Sequence, residues 1–391
     1  MPEWMNMTDE MGPEKIVHVY DPATGMKGVV VIDCTALGMT TGGGIRMLPD
    51  ITTQEIFQLA RAMTYKFGTL GVPVGGAKSG IWADPTVRGE ERKNIMRAFG
   101  RAVRPLIVAG LAFGADIGTE AEDLDFVFEG AELPPQGTGL MAEKKDGEPI
   151  ENHVTGYGVV VAAQAACEFA GISMQGASVA IEGFGKVGGG VARYITEVGA
   201  KVVALSTIDG MILNEDGLDV NLLLEKRRKV GDKAIQEHEK AEHLDKEKIF
   251  SLPVDILIPG ARPYVIHEKN VNQVKAKVIS SIANIPITDE AEETLFQKGV
   301  HIVPDFVSNA GGTVLGIVDF MGGTSRHAFD ACKELIGSNT RTILADARKE
   351  GIDPRRLATR RVEEKVAAAR RGEESASIDD AIHQMKERLG L

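Results

Sequence analysis

Hydrophobic and polar positions alternate with period two over residues 16–33, IVHVYDPATGMKGVVVID, in a run rich in β-formers. This pattern predicts two strands joined at the Asp21-Pro22-Ala23-Thr24-Gly25 turn. The period then changes to that of a helix in TTQEIFQLARAMTYKFG. Ile56, Leu59, Ala60 and Met63 fall on one face, Thr52 and Glu55 form a capping box, and Gly68 is the expected stop. Between the two patterns, GMTTGGGIRMLPD reads as a glycine-rich loop. Residues 88–110 give another helical run, with Leu106, Ile107 and Val108 near its end. The polar stretch MAEKKDGEPIENH, around 141–153, interrupts the apolar texture and marks a hinge or crossover between domains.

From Gly156 the texture changes. VVVAAQAACEFAG predicts an apolar helix ending at Gly171, followed by the strand SVAIEG, the turn GFGKVG, a helix through Glu197 and the strand KVVALS. A charged stretch over 221–249 reads as helical, and VDILIP, KVIS and VHIVP read as further strands. Strands alternating with helices specify a parallel α/β sheet. After about residue 322 the chain is helical without a strand signal and is expected to fold back on one of the domains. The expected fold class is α/β with two domains, divided as 1–150 and 151–320, followed by C-terminal helices 321–391.

Composition narrows the class. With 391 residues the chain is long enough for two cores. Its net charge of −12 argues against nucleic acid or membrane partners. Three scattered cysteines (Cys34, Cys167, Cys332) form neither a disulfide framework nor a metal cluster, so no metal is expected. The N-terminus lacks an apolar leader, and no run reaches membrane-spanning length, so a soluble, cytoplasmic protein is the expectation.

GFGKVG contributes Gly183, Gly185 and Gly188, with Phe184, Lys186 and Val187 between them. It follows a strand and opens a helix within a βαβ unit, the context in which such a loop cradles a dinucleotide pyrophosphate. The second strand ends Ser206-Thr207-Ile208-Asp209. Asp209 suits a ribose 2′-hydroxyl, whereas Ser206 and Thr207 suit a 2′-phosphate. The cofactor is NAD or NADP, and the charge of Asp209 tips the reading toward NAD. Nearly as well, Asp209 simply starts an Asp-Gly turn. The stretch GVPVGGAKSG sets Lys78 among glycines, as though backbone N–H groups and the amine converge on a small anion. Lys66 and Asp116, taken singly, read as ordinary solvated groups.

The ordered motifs MTYK, GGAKSG, ADIGT, TGYG, GFGKVG and PDFVSNAGG, spanning about residues 38–316, resemble the glutamate/leucine/phenylalanine/valine dehydrogenase family. The resemblance implies a substrate-binding and oligomerisation domain, then a Rossmann-type dinucleotide-binding domain, with a cleft between them. It implies NAD(P)-dependent oxidative deamination of an L-amino acid to a 2-oxo acid and ammonia, and the reverse. By motif, Lys66 would meet the substrate carboxylate. Lys78 would activate the water that attacks the imine carbon, and Asp116 would exchange protons with the substrate nitrogen. Thr155, Asn284 and Asn309 would line the nicotinamide side, with Asn309 also near substrate. A lysine acting near neutral pH needs its pKa brought from ~10.4 toward about 7–8, roughly 4 kcal/mol. The partners implied are small molecules and further copies of the chain: a homo-oligomer, hexamer favoured over octamer or dimer.

The chain departs from the family at the side-chain pocket. Glutamate-specific members carry a lysine before Gly-Gly-x-Arg; here that position is Gly42, preceding Gly43, Gly44 and Ile45. Gly316 occupies the second specificity position, shortly after NAGG. Two glycines are expected to enlarge the pocket, and without a cation a side-chain carboxylate is costly to bury. Poor glutamate selectivity follows, with a bulkier amino acid as one alternative. Arg46 or Thr41 taking over the lysine's role, in a true glutamate dehydrogenase, is another. A catalytically silent nucleotide-binding homologue and a different nicotinamide reaction are the remaining readings. SSIANIPIT lacks the acidic-glycine lead usual in relatives, and Lys186 adds a cation beside the pyrophosphate loop.

Overall fold

Alternation over the first strands produces a hairpin. Strands β1 (Lys15–Asp21) and β2 (Met26–Ile32) pair antiparallel, and Asp21 closes their turn by accepting hydrogen bonds from Thr24 N and Oγ1 at 3.0 and 2.6 Å. The computed structural model describes residues 6–38, 40–134, 139–236, 238, 241–373 and 378–391. They form two units, Met1–Glu143 with Thr359–Leu391, and Lys144–Ala358. The C-terminal helices are therefore shared: residues up to 358 belong to the second unit and those from 359 to the first. Among the described residues no helix is long and apolar enough to cross a membrane.

In the first unit the hairpin joins β3 (Thr40–Met47), β4 (Val74–Ile81) and β5 (Leu111–Ala115) in a sheet of order β1-β2-β4-β3-β5. Helices α2 (Gly89–Val108) and α3 (Ala121–Gly130) cover one face around Met96, Phe99, Val103 and Val127. Helix α1 (Thr53–Leu70) covers the other through Ile56 and Ala60. Burial of each of the larger apolar side chains among these stabilises by about 1.5–3 kcal/mol. Thr52 caps α1, its Oγ1 accepting from Glu55 N at 3.0 Å. The helix runs through Gly68 and stops at Gly71, whose φ is +73°. Gly68 is glycine for another reason: a β-carbon there would press on Val362.

The expected loop over GMTTGGGIRMLPD is a strand for most of its length, β3, in the interior of the sheet. Glycine weakens a strand's local signal, but here it answers close tertiary approach. A β-carbon on Gly43 would overlap the Ala77 carbonyl. GGAKSG likewise lies in a strand. Missing β-carbons at Gly76 and Gly80 seat α1 directly against β4, through Thr64, Ala60 and Ile56. The glycines around Lys78 thus serve helix–strand packing, and β4 pairs with β2 and β3. The anion-cradling role expected of them is not what the backbone shows.

The second unit begins with a short hairpin, β6 (Lys144–Lys145) and β7 (Glu148–Pro149), then α4 (Ile150–Ala170), ended by Gly171 at φ +71°. Helix α4 is apolar around most of its circumference between Val159 and Cys167, where it is largely buried, while Glu168 near its end is exposed. The sheet comprises β8 (Ser178–Glu182), β9 (Lys201–Thr207), β10 (Gly210–Leu213), β11 (Glu242–Leu244), β12 (Ile256–Pro259), β13 (Val278–Ser280) and β14 (His301–Val303). Its order is β11-β10-β9-β8-β12-β13-β14, with β9-β8-β12-β13-β14 parallel. Strand order reverses between β8 and β12, the switch point where such sheets bind nucleotides. The 221–249 region is helical only in part. Helix α6 (Val220–Val230) stops at Gly231, φ +64°, and β11 and two 3₁₀ turns follow.

Candidate functional site

The first unit concentrates buried charge around Lys78. Its neighbour strand β3 pairs with β4 at 40–42 and again at 45–47, and that ladder is interrupted opposite Ala77 and Lys78. Lys78 is 7% exposed, and its Nζ lies 2.8 Å from Asp116 Oδ2. Arg46, from β3, donates through Nε to the same oxygen at 3.1 Å and through Nη1 to Glu55 Oε1 at 2.5 Å. Burial alone would raise the Asp116 carboxyl; the adjacent Lys78 and Arg46 charges outweigh it and hold it well below the usual carboxylate range. Thr119 fixes the backbone beneath, its Oγ1 accepting from Asp116 N at 2.9 Å and donating to Ile45 O at 2.7 Å.

Gly44 makes this arrangement possible. A β-carbon there would sit 2.9 Å from Asp116 Cβ and 3.1 Å from Lys78 Nζ. Lys66 lies on α1, buried. Beside Gly42 the space is already filled: a β-carbon would meet the Phe67 ring at 3.2 Å and Val74 Cγ1 at 3.5 Å. The enlargement expected there is taken up by an aromatic ring. Glu55, Gly44 and Thr119 are neighbours of the pair that motif reading did not place, and Arg46, considered for the pocket cation, is instead engaged by Asp116 and Glu55. Thr119, the last residue of the ADIGT motif, is the one with a local signal.

In the second unit, Gly183 follows β8 with φ +91°, a conformation that glycine takes without cost. Helix α5 (Lys186–Glu197) starts at once, and a β-carbon on Gly188 would overlap the Gly183 carbonyl. Gly185 is exposed at the helix N-cap with no atom within 4 Å of its β-carbon position, so the N-terminus of α5 is open to an anion. Lys186 is exposed and Val187 half-buried beside it, whereas the Phe184 ring is buried and its N donates to Ser206 O at 2.8 Å. Ser206 and Thr207 are both buried. Asp209 is exposed in the β9–β10 turn, its N donating to Thr207 Oγ1 at 3.2 Å.

Two buried carboxylates pin the neighbouring loops. Glu182 accepts from Gly260 N and Ala261 N, both at 2.8 Å, while burial pushes its pKa up. Asp305, in α8 (Asp305–Ser308), accepts from Ile285 N at 2.9 Å. Asn309 donates through Nδ2 to Ile282 O, Ala283 O and Asn284 Oδ1 at 3.1, 3.3 and 3.0 Å. Its Oδ1 is buried without a partner, an acceptor of the kind a carboxamide N–H satisfies. Helix α9 (Gly311–Phe320) carries Gly316, half-buried, and approaches α4 closely: a β-carbon on Gly312 would be 3.1 Å from Thr155 Oγ1. An open helix N-terminus, a left-handed glycine and an unpartnered amide oxygen fit a dinucleotide.

A nucleotide-type parallel sheet in one unit and a buried lysine–aspartate pair in the other make this a two-unit α/β protein of dinucleotide-binding type. Residues 13–132 match the family model described as Glu/Leu/Phe/Val dehydrogenase, dimerisation domain, and residues 147–372 match Glutamate/Leucine/Phenylalanine/Valine dehydrogenase. The chain is 31% identical over 318 residues to the glutamate dehydrogenase of Aeropyrum pernix, covering 77% of this chain and 75% of that one. It is 34% identical over 291 residues to the NADP(+)-dependent glutamate dehydrogenase of Pyrobaculum calidifontis, covering 71% and 69%. The same fold occurs in a hetero-hexameric glutamate dehydrogenase from Thermus thermophilus, solved with Leu bound (TM-score 0.81, 24% identity, 93% and 91% covered). It occurs also in L-tryptophan dehydrogenase from Nostoc punctiforme (TM-score 0.68, 24% identity, 94% and 99% covered). The chain belongs to the glutamate/leucine/phenylalanine/valine dehydrogenase family and is an amino acid dehydrogenase.

Proposed function

We propose that the chain interconverts an L-amino acid with its 2-oxo acid and ammonia, with Lys78 and Asp116 as the catalytic pair. The observation that carries this is the buried contact of 2.8 Å between their side chains, with Arg46 on the same carboxylate. A nicotinamide dinucleotide supplies the hydride acceptor or donor when bound. Lys66 takes the substrate carboxylate as a compact cation. Lys78 orients and activates the water that adds to the imine carbon. Asp116 trades protons with the substrate nitrogen. Gly183, Gly185, Lys186 and Gly188 hold the pyrophosphate, and Thr155, Asn284 and Asn309 orient the nicotinamide amide.

The substrate side chain is apolar in this reading. Gly42 is flanked by Phe67 and Val74, and Arg46 is committed to Asp116 and Glu55. A side-chain carboxylate beside Gly42 would lose water without gaining a cation. The cofactor is NAD rather than NADP, because Asp209 is exposed beyond β9 while Ser206 is buried. The chain forms a homo-oligomer, in keeping with the dimerisation-domain match over 13–132. A reductive-amination screen of 2-oxo acids with ammonium, run separately with NADH and NADPH, tests these statements together. Turnover fastest with 2-oxoglutarate would sink the apolar pocket, and no turnover with any 2-oxo acid would leave a nucleotide-binding homologue.

A further inference from the structure

At the carboxyl end of β13 the chain turns through Ala283, Asn284, Ile285 and Pro286. Ile285 has φ +51°, a left-handed conformation that β-branched residues rarely adopt and that a following proline restricts further. Such a residue persists only where its surroundings over-determine it. Both of its backbone groups are held. Ile285 N donates to Asp305 Oδ2 at 2.9 Å, and Ile285 O accepts from Tyr264 N at 2.8 Å. The remaining oxygen of Asp305 accepts from Arg355 Nη2, and Arg355 Nε donates to Glu292 Oε2 at 2.5 Å. Asp305 and Glu292 are almost wholly enclosed. The strained turn also carries Asn284, whose Oδ1 accepts from Asn309 Nδ2.

We infer that Arg355, acting through Asp305, is a positioning residue for the dinucleotide: it holds Ile285 left-handed so that Asn284 and Asn309 present their amides together. The inference rests on the cofactor role proposed above for those two asparagines. Stability alone explains the network poorly, because a buried ion pair is a weak stabiliser and this one maintains a conformation that itself costs energy. Asp305 uses one oxygen for the guanidinium and the other for the strained N–H, so losing the cation frees the carboxylate to turn away from Ile285.

The test uses the full chain, with dissociation constants for NADH and NADPH from fluorescence titration, steady-state KM for 2-oxo acid and ammonium, and thermal midpoints. Arg355→Gln is expected to weaken dinucleotide binding by about tenfold, the size of one lost charge-assisted hydrogen bond, with the 2-oxo acid KM within about twofold. Adding Ile285→Gly restores most of that affinity, because glycine occupies a left-handed φ without strain. Arg355→Lys keeps the charge without the fork and loses about threefold; it is the variant to read should Arg355→Gln not fold. A folded Arg355→Gln with unchanged dinucleotide affinity, while Asn309→Ala weakens it, overturns the inference and leaves the asparagine role intact. Failure of Ile285→Gly to rescue also overturns it. If Asn284→Ala and Asn309→Ala both bind dinucleotide normally, the underlying role falls and the inference with it.

Discussion

The two units build their sites by opposite means. In the first, charged side chains from two central strands, the start of α1 and the end of the edge strand β5 meet one another: Lys78, Asp116, Arg46 and Glu55 form a continuous chain of ion pairs. In the second, the candidate cofactor groups are mostly backbone and amide, and buried carboxylates stand behind the neighbouring loops, Glu182 behind 260–261 and Asp305 behind Ile285. In the function proposed above, charge serves chemistry in one unit and scaffolding in the other. The difference separates how substitutions will be read out: in turnover for the first unit, in dinucleotide affinity and stability for the second.

Lys78→Ala gives the sharpest contrast. It is expected to lower kcat by about a thousandfold or more, with dinucleotide affinity kept, since a positioned acid–base group contributes about 10²–10⁴. Stopped-flow amination beside NADH titration measures both; a loss confined to binding would erase the distinction between the units.

Gly76→Ala probes the scaffold of the same unit. The new methyl collides with the Thr64 backbone, a contact that cannot rotate away. A stability loss of about 3 kcal/mol is expected by urea denaturation, and a neutral result would show that α1 can shift freely on β4.

Glu292 sharpens the account of the second unit. Burial pushes its carboxyl up to about 7 from an ordinary 4.5, against the pull of Arg355. Below 4.5 it is protonated both folded and unfolded; between 4.5 and 7 mainly the unfolded chain ionises. Stability from this group therefore falls as pH rises through that window and levels off above it, by a total of order 3 kcal/mol. Glu292→Gln should flatten that slope in urea midpoints followed from about pH 5 to about pH 7.5. A slope that stays the same assigns the titration elsewhere.

The smallest effect is expected at Asp209, exposed in its turn. Asp209→Ser should raise kcat/KM with NADPH relative to NADH by about tenfold, the value of one like-charge contact removed from a phosphate. If the ratio stays put, Asp209 is only the start of the β9–β10 turn.

Local patterning carried much of the fold. The alternation in β1 and β2, the Thr52 cap of α1 and the apolar runs of β8, β9, β12, β13 and β14 are each written within a few residues. What could not be read locally are features whose cause lies far along the chain. Strand β3 looks like a loop, and the glycines of β4 look like an anion cradle, because both answer contacts with α1 and with each other. Gly68 looks like a helix stop because Val362, nearly three hundred residues later, is invisible from the helix. Glu55 reads as half of a capping box, but its carboxylate is engaged by Arg46. Lys78 stood out by its glycine setting and Asp116 entered through resemblance to a family; nothing in their flanking residues announces that they touch. Ile285, in an apolar run before a proline, carries no sign of a left-handed backbone.

The bare seat between α1 and β4 has one more consequence. With no side chain between helix and strand at Gly76, the two elements pack backbone against backbone, and together they carry the amines of residues 66 and 78. On the roles proposed above for those two amines, their spacing suits a carboxylate one bond from the reacting carbon, so a β-amino acid, with one methylene more between them, is expected to be a poor substrate whatever its side chain.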